Sequence, residues 1–137
     1  MIVTQIIESF KIKQERNWEK VYYLFDIHGT ILKPSYTNDN NHEFYPFAKE
    51  ALQLICKRND ICPIMWTCSH IEKINEFIEF FDNNDIFFHY VNENPEMKDN
   101  EIASFKDKLY CNVGFDDKFG FNPDEWKQVL FHFQQLK

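Results

Sequence analysis

The chain has 137 residues, 44% of them hydrophobic and 18% aromatic, and carries a formal net charge of −7. That length suits one compact domain with an ample core and leaves little room for a second. The acidic balance argues against a general nucleic-acid-binding surface, and no apolar run approaches the roughly 18 residues of a membrane span.

Ile2, Val3, Ile6, Ile7 and Phe10 recur at near-helical spacing and predict an amphipathic helix over residues 2–15, within an N-terminal helical extension over 1–19. Residues 21–27 read as a buried strand, and 33–44, with Pro34, Asn38, Asp39, Asn40 and Asn41, as a polar loop. Pro46 opens a helix to about Arg58 with Phe47, Ala51, Leu52 and Ile55 inward. Residues 61–66 are a second strand. Ser69 and Glu72 have capping-box spacing ahead of a helix with Ile71, Ile74, Phe77, Ile78 and Phe81 on one stripe. Residues 86–91 and 109–115 are further strands, and 96–107 remain ambiguous. Asn122 caps a last helix with Pro123 at its first position and Trp126, Val129, Leu130, Phe133 and Leu136 on its buried face.

Strands alternating with helices predict an α/β, three-layer Rossmann-like fold with a central parallel sheet and helices on both faces. Ligand sites in such sheets lie outside the carboxyl ends of the strands, where strand order reverses. Asp26, Thr67 and the pair Asp116 and Asp117 each follow a predicted strand. Three polar clusters therefore converge on one edge.

Three stretches carry a resemblance: Asp26-Ile-His-Gly-Thr30, the strand Ile64-Met-Trp-Thr67, and Val113-Gly-Phe-Asp-Asp117. In order and placement they resemble the first, second and fourth motifs of the haloacid dehalogenase superfamily of phosphohydrolases. His28 stands where that family usually has a second Asp. The lysine of the third motif is assigned to Lys108, with Lys106 and Lys98 as alternatives. Asn92-Glu-Asn-Pro95 ahead of the paired acids also resembles small single-domain bacterial members. With no domain-sized insert after Thr30 or Thr67, the chain looks like the capless type, a single domain over 1–137.

The resemblance implies a Mg²⁺-dependent phosphohydrolase with Asp26 as nucleophile, passing through an aspartyl-phosphate that splits hydrolysis into two steps. It implies Asp26, Asp116 and the backbone carbonyl of His28 as metal ligands, with Asp117 bound through water or holding the lysine. Thr67 would grip the transferring phosphoryl group and Lys108 offset its charge. In the usual member the second Asp moves the proton, and histidine can in principle do the same. A catalytically impaired relative that binds a phosphorylated ligand or a protein is the rival. A receiver-like phosphoacceptor is more distant, since its paired acids would follow the first strand. The substrate is expected to be a small phosphorylated molecule such as a nucleotide, or a nucleic-acid end, with no membrane partner; a second subunit could cover the open site as a homodimer.

Other residues carry less. Cys56, Cys62, Cys68 and Cys111 form no Cys-x-x-Cys pair, and their spacing does not read as a zinc site. Reduced thiols in a cytoplasmic protein are the expectation, in keeping with an N-terminus that lacks a signal-peptide pattern. Cys68 and His70 are poorly placed to face each other as a nucleophilic pair. His42 and His89 have no partner spacing. Phe115, Phe119 and Phe121 are expected to close the core around the last strand, stacking on a base being the alternative.

Overall fold

The computed structural model describes residues 1–34, 42–97 and 109–136. Its helices are α1 (Ile2–Arg16), α2 (Ala48–Cys56), α3 (Ile71–Asp82) and α4 (Trp126–Gln135). Its strands are β1 (Val21–Phe25), β2 (Ile61–Met65), β3 (Tyr90–Val91) and β4 (Val113–Phe115). They form one parallel sheet in the order β3-β2-β1-β4. The expected α/β architecture is present, with helices flanking a parallel sheet and, among the described residues, no cap domain.

The order of strands places the site. From β1 the chain steps outward through β2 to β3, then returns to add β4 on the other side of β1. Strand order therefore reverses between β1 and β4, and a crevice opens beyond their carboxyl ends. The register aligns Phe25 with Phe115 and with Met65. The residues that follow, Asp26 and Asp116, emerge side by side.

Alternation along β1 decides where the core lies. Val21, Tyr23 and Phe25 are fully buried, whereas Tyr22 and Leu24 are only half-buried. With Val21, Tyr23 and Phe25 in one buried cluster lie Ile2 and Ile6 of α1, Ala51, Leu52 and Ile55 of α2, Phe77 and Phe81 of α3, and Trp126, Val129 and Phe133 of α4. The rings of Phe25 and Phe115 stack at 4.5 Å, and Trp126 lies nearly coplanar on Phe115 at 5.4 Å. The Trp126 indole N–H also donates to the Thr30 carbonyl at 2.7 Å, so the aromatic stack is tied to the loop after β1. Among the described residues no helix is long and apolar enough to cross a membrane.

Several elements differ from the reading of the sequence. The N-terminal helix is part of the core rather than an extension of it. Besides Ile2 and Ile6, its Ser9 hydroxyl meets the Tyr23 hydroxyl at 3.1 Å, and the Ile2 amide donates to Glu125 at 3.1 Å. The last two strands are far shorter than their apolar runs, because pairing extends only where a neighbour is in register: Ile64 and Met65 for β3, Tyr23 to Phe25 for β4. Ser69 does not cap α3. Its amide donates to the Thr67 hydroxyl at 3.2 Å, and His70 stands at the cap position without a side-chain bond. Ile71 and Ile78 are exposed, so the buried stripe of α3 reduces to Ile74, Phe77 and Phe81. Phe47 is exposed too, held at φ 70° where the chain turns into α2. The cap at Asn122 is as expected: Asn122 and Glu125 form a reciprocal capping box over a 3₁₀ turn that leads into α4.

Replacing Trp126 by Phe keeps a ring in the stack but strips the buried Thr30 carbonyl of its donor. The Trp126→Phe variant is expected to lose about 2 kcal/mol of stability in urea unfolding. A loss near zero would mean that this hydrogen bond adds nothing to the fold.

Candidate active site

The loop after β1 folds back tightly on one acceptor. The Ile27 carbonyl takes the amides of Thr30, Ile31 and Leu32 at 3.3, 2.9 and 3.0 Å, and the Gly29 amide donates to the Leu32 carbonyl at 2.8 Å. The turn needs φ 84° at Gly29, a conformation that side chains disfavour. A Cβ there would lie 2.8 Å from an Asp117 carboxylate oxygen. The backbone itself calls for glycine, and a side chain there would also push the Asp117 carboxylate aside.

Carboxylate oxygens of Asp26, Asp116 and Asp117 lie within 4.8 Å of one another. Asp26 continues the ladder, its amide donating to the Phe115 carbonyl at 2.9 Å. Asp116 caps the short 3₁₀ turn Asp117–Phe119 by accepting the Lys118 amide at 2.9 Å. Between the acids sits the fully buried Thr30. Its hydroxyl accepts the Asp117 amide at 3.0 Å and lies 3.4 Å from oxygens of both Asp26 and Asp117, with one proton to give. Burial, then the charge of Asp116, pushes the Asp26 carboxyl up from 3.8 to about 6.

Thr67 follows β2 on the same edge. Its backbone is held from both sides by Asn92, which accepts the Thr67 amide and donates to its carbonyl, each at 2.8 Å. Asn92 itself adopts φ 56°, just after β3. The Thr67 hydroxyl is engaged within its own turn, at 3.1 Å from the Ser69 hydroxyl. Among the described residues no hydrogen bond joins it to the acids. A cavity of about 500 Å³ opens beside Asp116, lined by Leu24, Trp66, Gly114 and Phe119 among others. Phe115 and Phe121 close the core as expected, but Phe119 is 86% exposed on the rim of this cavity.

His28 does not join the acids. Its ring stands edge-on to Phe77 at 5.2 Å, and the ring of His42 packs on Phe77 and Phe80 at 5.6 and 4.8 Å. Burial, with His42 and Lys73 nearby, lowers the His28 pKa and so favours the neutral ring. The carboxylates do not hold it charged. Lys108, Lys106 and Lys98 lie outside the described residues. Cys68 and His70 are both exposed.

No protein-family model and no curated protein matches this chain. Among solved structures it is similar to a conserved protein from Bacteroides thetaiotaomicron. The two are 25% identical, with a TM-score of 0.65 over 86% of this chain and 93% of that one. The likeness is one of fold.

Two predictions follow from the crowded acids. Because its folded pKa is raised, Asp26 favours the folded state while protonated. That contribution is complete below the unfolded pKa near ~3.9 and is lost as pH rises through about 6. In chelator at pH 7, Asp26→Asn is expected to raise Tm by roughly 2–5 °C, a gain that shrinks towards pH 4. A variant no more stable than wild type at pH 7 would remove the repulsion argument. Gly29→Ala is expected to cost about 1–3 kcal/mol by denaturant unfolding, more than Gly120→Ala. Gly120 also has positive φ but faces open space. Equal costs would show that the contact with Asp117 adds nothing.

Proposed function

We propose that the chain is a capless member of the haloacid dehalogenase-like superfamily, a Mg²⁺-dependent phosphohydrolase that cleaves a phosphate monoester with Asp26 as nucleophile. The observation that carries this reading is the meeting of Asp26 with Asp116 and Asp117 at the strand-order switch point. Three carboxylates with their oxygens this close, one with a raised pKa, are a donor set suited to a hard divalent cation. Asp26, Asp116 and Asp117 would hold the ion, together with the backbone carbonyl of His28. Bound there, Mg²⁺ would neutralise phosphate oxygens and favour in-line attack.

The chain's own residues do the rest. An Asp26 oxygen attacks phosphorus and the ester P–O bond breaks, leaving an aspartyl-phosphate and an alkoxide that takes its proton from solvent water. Water then attacks phosphorus, freeing phosphate and restoring Asp26. Without metal the Asp26 carboxyl is pushed up to about 6, and a bound cation would favour its ionised, attacking form. Thr30 fixes Asp117, and Asn92 fixes the Thr67 backbone on the same edge of the sheet. Lys108 is proposed to offset phosphoryl charge. A neutral His28 can accept a proton from water but is a poor donor to a leaving group. Esters with good leaving groups are therefore the better substrates. The open edge and acidic charge suit a small phosphorylated molecule such as a nucleotide ahead of a nucleic-acid end, in the cytoplasm.

One observation favours a second reading. The His28 ring lies on Phe77, with His42 and Lys73 rather than the acids as its electrostatic neighbours. A protein that binds a phosphorylated ligand without turning it over fits that geometry.

Phosphate release from an aryl phosphate and a panel of nucleotides, with Mg²⁺, separates the two. Multiple turnovers are expected in wild type, at least about a thousandfold fewer in Asp26→Asn. His28→Asp is expected to gain about tenfold or more on alkyl esters. Mg²⁺-dependent stabilisation of wild type with no turnover on any substrate would sink the enzyme and leave the second reading.

A further inference from the structure

A second polar cluster lies at the other end of the sheet. Cys62 Sγ, an imidazole nitrogen of His89 and a carboxylate oxygen of Glu96 lie within 4.8 Å of one another. They come from β2, from the residue before β3 and from the turn after it. Cys62 is paired with Tyr22, which precedes Asp26 by a length of strand worth roughly 13 Å, so the cluster is separate from the acids. We propose that Cys62, His89 and Glu96 bind one Zn²⁺.

The donors are those zinc selects: a thiolate, an imidazole and a carboxylate, with water as the fourth ligand. Ligand atoms around tetrahedral zinc sit roughly 3.3–3.7 Å apart. Closing from the present spacing takes side-chain movement of about 1 Å, with no shift of the sheet.

The surroundings are arranged for it. Cys62 is fully buried, and its thiol points at Glu96 Oε2 at 3.6 Å. The other carboxylate oxygen, Oε1, is held by Lys20 at 3.0 Å, with the Tyr22 hydroxyl at 3.5 Å. Lys20 therefore orients Glu96 while leaving Oε2 towards Cys62, as an outer partner does for a ligating carboxylate. Burial and Glu96 push the Cys62 thiol up to about 12, so the ion must displace that proton, releasing it to solvent. His89 is exposed and gives the ion access. The purpose is mechanical. β3 is a two-residue edge strand, and the ion would tie β2 to the residues on both sides of it.

Titration of the metal-free full chain with Co²⁺, followed by Zn²⁺ displacement, tests the site. A thiolate-to-metal absorption band that grows in with one equivalent of Co²⁺ is expected, lost in Cys62→Ser. It should be retained in Cys68→Ser, Cys111→Ser and Asp116→Asn. His89→Ala, a change at an exposed position, is expected to weaken Zn²⁺ binding by at least about a hundredfold and to abolish the rise in Tm that Zn²⁺ gives wild type. No band in wild type, or a band that survives Cys62→Ser, overturns the proposal. None of these readouts depends on phosphatase activity.

Discussion

The stack of Phe25, Phe115 and Trp126 is the constraint on which the rest of the molecule hangs. Two of its rings are the last residues of neighbouring strands, and the third opens the final helix. Packing them face to face fixes β1 beside β4, and that alone sets Asp26 beside Asp116. The indole N–H then reaches the Thr30 carbonyl, so the apolar core orients the polar loop as well. Buried aromatic area supplies the free energy and one directed hydrogen bond supplies the alignment.

The acids are an expense that this scaffold sustains. Asp26 is crowded by Asp116 and partly desolvated, which favours its protonated form. The loop that creates the crowding is also heavily braced. Three amides converge on Ile27, and Thr30 bridges to Asp117 across 87 positions. Strain held by a firm scaffold is common where function resides. At the far end of the sheet, the salt bridge of Lys20 to Glu96 compensates its acid internally.

Residues that end an apolar run were legible from sequence, because hydrophobic patterning and strand order put them on one edge. Asp26, Asp116, Asp117 and Thr67 all belong to this class, as does the Asn122 cap, whose partners are local. Contacts made across the fold left no local pattern. Thr30 bonds to Asp117 and Asn92 clamps Thr67 from 25 positions away, and neither pairing has a spacing to read. The capping-box pattern at Ser69 failed because the Thr67 hydroxyl took its amide first. His28 turned out to face Phe77, since the motif specifies a position and not the direction of a ring. Cys62, His89 and Glu96 were invisible as a group for the same reason as Thr30: they belong to three segments. The lysine assigned to the third motif, with its alternatives, lies outside the described residues.

The central place of β1 has a consequence for the growing chain. During synthesis β1 leaves the ribosome before both of its neighbours and can pair with β2 first, but its other edge must wait for β4. The Ile2 amide waits longer still for Glu125, 123 positions on. A nascent chain that stops short of residue 113 thus displays Asp26 as an ordinary carboxylate at a strand end, without the neighbours that perturb it. The site is complete only once β4 has taken its place beside β1.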